Sequence, residues 1–101
     1  MAVILTPQAR DDLRRIALFI ARDNPARARS FVADLRAEAG RLATMPRAFP
    51  LVPRYEQQGI RRRSWRGYGI LYMVAEAGAG GIVIVRFLGP GQDHDRALRL
   101  S

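Results

Sequence analysis

The chain has no cysteine and no lysine, a single histidine (His94) and a single tryptophan (Trp65). Without cysteine there are no disulfides, no thiolate nucleophile and no thiolate-bound metal. Without lysine, and with no helix start behind it, the glycine run from Gly78 to Gly81 does not read as a phosphate-cradling loop. No apolar run approaches the ~20 residues that cross a bilayer, so no membrane partner is expected. The start, Met1-Ala2-Val3-Ile4-Leu5-Thr6-Pro7, lacks the basic leader of a signal peptide, and the cytoplasm is the expected location. Ser64 has no histidine near it in the sequence, and no metal-ligand spacing is present. Neither a metal nor a cofactor is expected.

What is present is compact and basic. At 101 residues, 49% of them apolar, the chain is expected to form one domain spanning 1–101 around its own core. All of its 17 basic residues are arginine, against 9 acidic residues, for a net charge of +8. Guanidinium forks bind carboxylates and phosphates in pairs of hydrogen bonds and keep their charge at any ordinary pH. A body this small and this positive favours nucleic acid or an acidic protein as its partner.

The local signals predict an α+β fold. Val3-Ile4-Leu5 reads as a short strand, and Thr6-Pro7 as the cap and first residue of a helix. Asp11 and Asp12 fall near that helix's positive end, and Leu13, Ile16, Ala17 and Ile20 form its apolar stripe until about Asp23. Asn24-Pro25 repeats the cap signal and opens a second helix with stripe Ala28, Val32, Leu35, Ala39 and Leu42, closed by Pro46. So short a break predicts an antiparallel hairpin. Three prolines mark 46–58 as a loop. Strands are predicted at 59–65, 68–75 and 82–88, with turns at Arg66-Gly67 and Ala77–Gly81. Tyr68, Ile70, Tyr72 and Val74 share one face, and Leu71 and Met73 the other, so both faces of a mostly antiparallel sheet of about four strands need cover. The hairpin supplies one side; a partner or the C-terminal segment from Asp93 to Leu100 supplies the other.

Arginine inside these strands is the functional question. Arg61-Arg62-Arg63, with Trp65 beside them, reads either as a basic strand with an aromatic for base stacking or as an edge strand that uses charge against aggregation. Arg86 ends an apolar strand, where an unpartnered charge is costly. It meets either an internal carboxylate, Asp93 being the nearest candidate, or a target. The weak catalytic candidates are Arg61, Arg63 and Arg86 as cations and His94 as the titrating group. Arginine stays protonated and makes a poor base, so no acid–base pair assembles from these residues.

Order and spacing together resemble the RelE/ParE superfamily of toxins from type II toxin–antitoxin modules, most closely the ParE (plasmid stabilisation) branch. The resemblance rests on Leu5-Thr6, Ala9, Asp12-Leu13, Ile16, Phe19-Ile20-Ala21, Asn24-Pro25, Ala28, Phe31, Leu35, Leu42 and Pro46. It continues through Gly59-Ile60-Arg61, Tyr68, Ile70, Tyr72, Arg86 and Asp93. Gly89-Pro90-Gly91 stands where that branch usually carries His-Gly. The resemblance implies a growth inhibitor neutralised by a cognate acidic antitoxin, with DNA gyrase as the target inhibited without chemistry. The alternative it leaves is a ribosome-dependent messenger RNA endoribonuclease of RelE type; a non-toxic RNA- or protein-binding domain of the same fold is a third. Target contacts are expected from Arg61, Arg62, Arg63, Trp65, Arg86 and Asp93. Antitoxin contacts are expected from Ile16, Phe19, Ile20, Phe31, Leu35 and Tyr72, with Phe19 and Phe31 exposed on the hairpin.

Overall fold

A computed structural model describes residues 2–75 and 80–99. Strand β1 (Val3–Leu5) leads into helix α1 (Pro7–Ala21), then helix α2 (Pro25–Arg41) and a single 3₁₀ turn over Leu42–Thr44. Strands β2 (Arg61–Trp65), β3 (Tyr68–Ala75) and β4 (Gly81–Leu88) follow, and helix α3 (His94–Arg99) ends the described chain. The sheet runs β1-β4-β3-β2, antiparallel except for the parallel pair of β1 and β4. The α+β expectation holds, with edges shifted by a few residues. The second helix ends at Arg41 rather than near Pro46, and the predicted turn at Ala77–Gly81 lies mostly outside the described residues.

Local chemistry sets these elements. The Thr6 hydroxyl accepts the Ala9 N–H at 3.0 Å, and the Asn24 side chain accepts the Arg27 N–H at 3.1 Å, each with proline at the following position. Arg66 (φ 50°) and Gly67 (φ 82°) both take left-handed backbone in the β2–β3 turn, the geometry a two-residue hairpin loop needs.

Two apolar layers sandwich the sheet. On one side Leu13, Phe31, Leu35 and Leu42 from the helices pack on Ile70, Tyr72, Ile82, Ile84 and Phe87. On the other, Val52, Ile60, Leu71, Leu88, Ala97 and Leu98 form a smaller core. That second face is therefore closed by α3 and by the 50–60 loop. The loop does more than cross over: Val52 donates to the Ile60 carbonyl at 2.8 Å, and Arg62 donates to the Pro50 carbonyl at 3.0 Å, lining the outer edge of β2.

A bulge in β4 assigns its faces. Leu71 opposes Arg86 and Tyr72 opposes Ile84, so Val85 has no partner across the ladder. Strict alternation from Ile82 would put Phe87 away from the helices. The extra residue restores Phe87 to the helix-side core and leaves Val85 and Leu88 on the other.

Candidate functional site

Beyond Leu5, strand β1 no longer covers β4, and α1 takes its place. Thr6 N–H donates to the Ile84 carbonyl at 3.0 Å, and the Thr6 hydroxyl donates to the bulged Val85 carbonyl at 2.8 Å. Asp12, 1% exposed, accepts the Phe87 N–H at 3.0 Å through Oδ2. The same carboxylate holds Arg86: Nε to Oδ2 at 2.7 Å and Nη2 to Oδ1 at 3.0 Å, a bidentate fork. Arg86 Nη1 donates to the Ala97 carbonyl at 3.0 Å, and Arg15 Nη2 lies 3.4 Å from Asp12 Oδ1. One guanidinium thus ties α1, β4 and α3 together. The Asp12 hydrogen bonds raise the Arg86 pKa above its already high ordinary value, with burial opposing them.

The internal partner of Arg86 is Asp12, not Asp93. Asp93 is exposed and accepts the Asp95 N–H at 3.0 Å, opening α3. The residue that sequence reasoning missed is Asp12, and a signal for it existed. It falls on the Ala9-Leu13-Ile16 stripe of α1, where a carboxylate has to be paired.

The β2 arginines divide between the two sheet faces. Arg61 Nη1 donates to the Phe49 carbonyl at 2.7 Å. Arg63 Nη2 lies 2.6 Å from Glu38 Oε2 of α2, and its guanidinium sits 4.8 Å from the centre of the Phe49 ring. Trp65, on the same face, packs on Phe31 with ring centres 5.5 Å apart and carries the Arg66 guanidinium over its ring at 4.5 Å. Arg61 is therefore tied to the loop at Phe49 and Arg63 to α2, rather than held out as a solvated edge or a joint phosphate clamp, and Trp65 is not an open stacking platform. Arg62 points to the other face, where its Nη1 lies 3.4 Å from His94 Nδ1, in the room left by the missing side chain of Gly69. His94 is thus separated by the sheet from Arg61 and Arg63.

His94 also lies 3.7 Å from Asp95, which accepts from Arg54 Nη1 at 3.3 Å. Donor atoms of Asp93, His94 and Asp95 come within 4.8 Å of one another, a cluster passed over in the sequence reading. Its members already serve Arg54, Arg62 and the start of α3.

Four of the six residues expected to meet an antitoxin are core residues. Ile16, Phe31, Leu35 and Tyr72 are 9%, 4%, 0% and 0% exposed, so Phe31 is not a surface residue. The physical reason is that α2 lays its Ala28-Phe31-Leu35 stripe directly on the sheet. Tyr72 donates its hydroxyl to the Pro46 carbonyl at 2.8 Å; burial pushes its pKa above the usual 10.0, against the charges of Arg61 and Arg63 and a backbone hydrogen bond at Phe49. Phe19 stays 68% exposed, Ile20 is half-buried, and Leu18, not singled out from the sequence, is 70% exposed.

Among the described residues, two open regions flank α1. Along the outside of the hairpin, adjoining hollows of about 430 and 500 Å³ share Ala17, Val32 and Arg36. Their apolar floor includes Leu18, Ala21 and Ala33, and Arg10, Arg14 and Arg29 rim them. On the other side of α1, hollows of about 350 and 420 Å³ share Arg15 and Gln92, one walled by Ile16, Phe19, Tyr68 and Pro90, the other by Arg86, Asp93 and Arg96.

No curated protein sequence matches this chain. A solved chain from the chromosomal ParDE TA system of P. aeruginosa has the same fold, with TM-score 0.68 and 18% identity over 89% of this chain and 96% of that one. Among the described residues no helix is long and apolar enough to cross a membrane. The family model for the ParE toxin of type II toxin–antitoxin systems, parDE, matches residues 3–94, and the chain belongs to that family.

Proposed function

We propose that this chain is the toxin of a type II toxin–antitoxin module, a growth inhibitor that acts by binding and is silenced by a cognate acidic antitoxin. The observation that carries this reading is the groove along the hairpin. An apolar floor of Ala17, Leu18, Ala21, Val32 and Ala33 between rims of arginine fits an amphipathic helix with acidic flanks. Leu18, at 70% exposed, is the natural anchor for such a helix. The toxin's proposed target is DNA gyrase, inhibited without a covalent step.

The RelE-type nuclease reading needs a cation clamp and a proton donor on one cleft. Arg61, Arg63 and Arg86 are committed to Phe49, Glu38 and Asp12, and His94 lies across the sheet from the first two. That arrangement counts against it.

Expression of the chain alone and with the product of the neighbouring small reading frame tests the proposal. Growth arrest relieved by the neighbour, with DNA-damage signalling and lost supercoiling ahead of translation arrest, is expected. Unimpaired growth at high soluble expression, or transcripts cut at codon positions first, would contradict it. Leu18→Asp is expected to weaken antitoxin capture at least tenfold, since it puts a carboxylate on the apolar floor.

A further inference from the structure

The cleft on the far side of α1 has a different chemistry from the hairpin groove, and we infer that it binds an unpaired nucleotide of a single-stranded nucleic acid. One compartment is apolar and aromatic: Phe19, 68% exposed, stands with Ile16 and Pro90 around about 350 Å³, which the half-buried Tyr68, its ring packed on Phe31 at 4.8 Å, also lines. The adjoining compartment, about 420 Å³, is lined by Arg15, Arg86 and Arg96. Arg15 and Gln92 line both. A base on an aromatic surface next to a phosphate among guanidinium groups is the pattern by which single strands are held.

Charge selects the ligand. With Arg86 held by Asp12, the exposed Arg15 and Arg96 line the cleft beside one carboxylate, Asp93, so among the described residues its surface carries an excess of positive charge. A phosphodiester carries one negative charge and matches it. The turn that shapes the cleft is built by Gly89-Pro90-Gly91. Gly91 takes φ 80°, Gly89 N–H donates to Gln92 Oε1 at 2.6 Å, and Gln92 N–H donates to the Gly89 carbonyl at 3.2 Å. This pins the Gln92 side chain by its oxygen at the boundary of the two compartments. The basic-plus-aromatic combination that the sequence places on β2 is thus reassembled here, from α1, β3 and the 89–97 segment.

The site stands apart from the antitoxin groove, and its test does not depend on toxicity. Fluorescence anisotropy with short oligothymidylate and oligouridylate, each against a duplex of the same length, reads binding by the purified chain. Tighter binding of single strand than of duplex is expected, and the tighter of the two single strands identifies DNA or RNA as the source. Phe19→Ala should weaken binding roughly five- to hundredfold, the effect of losing one stacked base. Arg96→Gln should flatten the plot of log affinity against log salt by about 0.7. Both side chains are exposed, so an unchanged melting temperature checks the fold. Arg36→Gln, which lines the hairpin groove and neither compartment of this cleft, should change affinity less than about threefold. Equal losses for Arg36→Gln and Arg96→Gln, no effect of Phe19→Ala, preference for duplex, or displacement only by an acidic peptide would each overturn the assignment.

Discussion

The Asp12–Arg86 pair decides how much of the arginine content is available for binding. With Asp12 at 1% exposed and its guanidinium partner nearly buried, removing either side takes a bidentate partner away from a buried charge. Asp12→Ala and Arg86→Ala are each expected to cost about 3–5 kcal/mol in denaturant unfolding. The double variant Asp12→Leu/Arg86→Met should be less destabilised than the two losses summed, because it removes both charges together. A cooperative melt of Arg86→Ala near the original temperature would contradict the anchoring role. Tyr72 gives a pH signature. Its folded pKa is raised above 10.0, chiefly by burial, so the folded state holds its proton more tightly than the unfolded chain. Its contribution is complete below pH 10 and is lost as pH rises through the folded value. Stability should therefore fall above about pH 10, and Tyr72→Phe should shrink that fall while costing roughly 1 kcal/mol at neutral pH through the lost bond to Pro46.

At the level of elements, α1 acts as a helix and as the continuation of β1 along the β4 edge. Thr6 makes the change of role possible, since its hydroxyl caps α1 and also donates to the bulged Val85 carbonyl. Thr6→Ala loses both and is expected to cost about 1–2 kcal/mol, whereas Thr6→Ser keeps both and should cost less than half of that. The boundaries of α1 and β3 were legible because their signals are local: proline after a cap residue, and alternation in Tyr68-Gly69-Ile70-Leu71-Tyr72. The partners of the arginines were not legible in the same way. Whether Arg63 meets solvent or Glu38 depends on how α2 lies across β2, and whether Arg86 meets Asp93 or Asp12 depends on a bulge that no residue type in Val83–Arg86 announces. Both carboxylates do sit on apolar helix stripes, Asp12 between Ala9 and Ile16 and Glu38 between Leu35 and Leu42, and that is where the pairing was written. Phe31 and Leu35 were misjudged for the same geometric reason: a stripe shows which face is apolar, and only the packed hairpin shows what covers it.

For the molecule as a whole, +8 of net charge on 101 residues is spread unevenly once the internal pairs are removed. Arg61, Arg63 and Arg86 are spent inside, and the charge that faces partners lies along the hairpin groove and around the far side of α1. Association with an acidic antitoxin should accordingly be steered by charge, its on-rate falling as salt rises while the off-rate stays nearly constant. Stopped-flow mixing across a salt series checks this; a salt-independent on-rate would place the contact on apolar surface alone. The reading of the chain as an inhibitor that grips its target is tested most directly by titrating it, purified, into a gyrase supercoiling reaction that also contains a reporter transcript. Supercoiling should fall in proportion to added protein, saturate near one chain per binding site and recover when antitoxin is added, with the transcript intact. Supercoiling that persists while a trace of the protein degrades the transcript with turnover would contradict it.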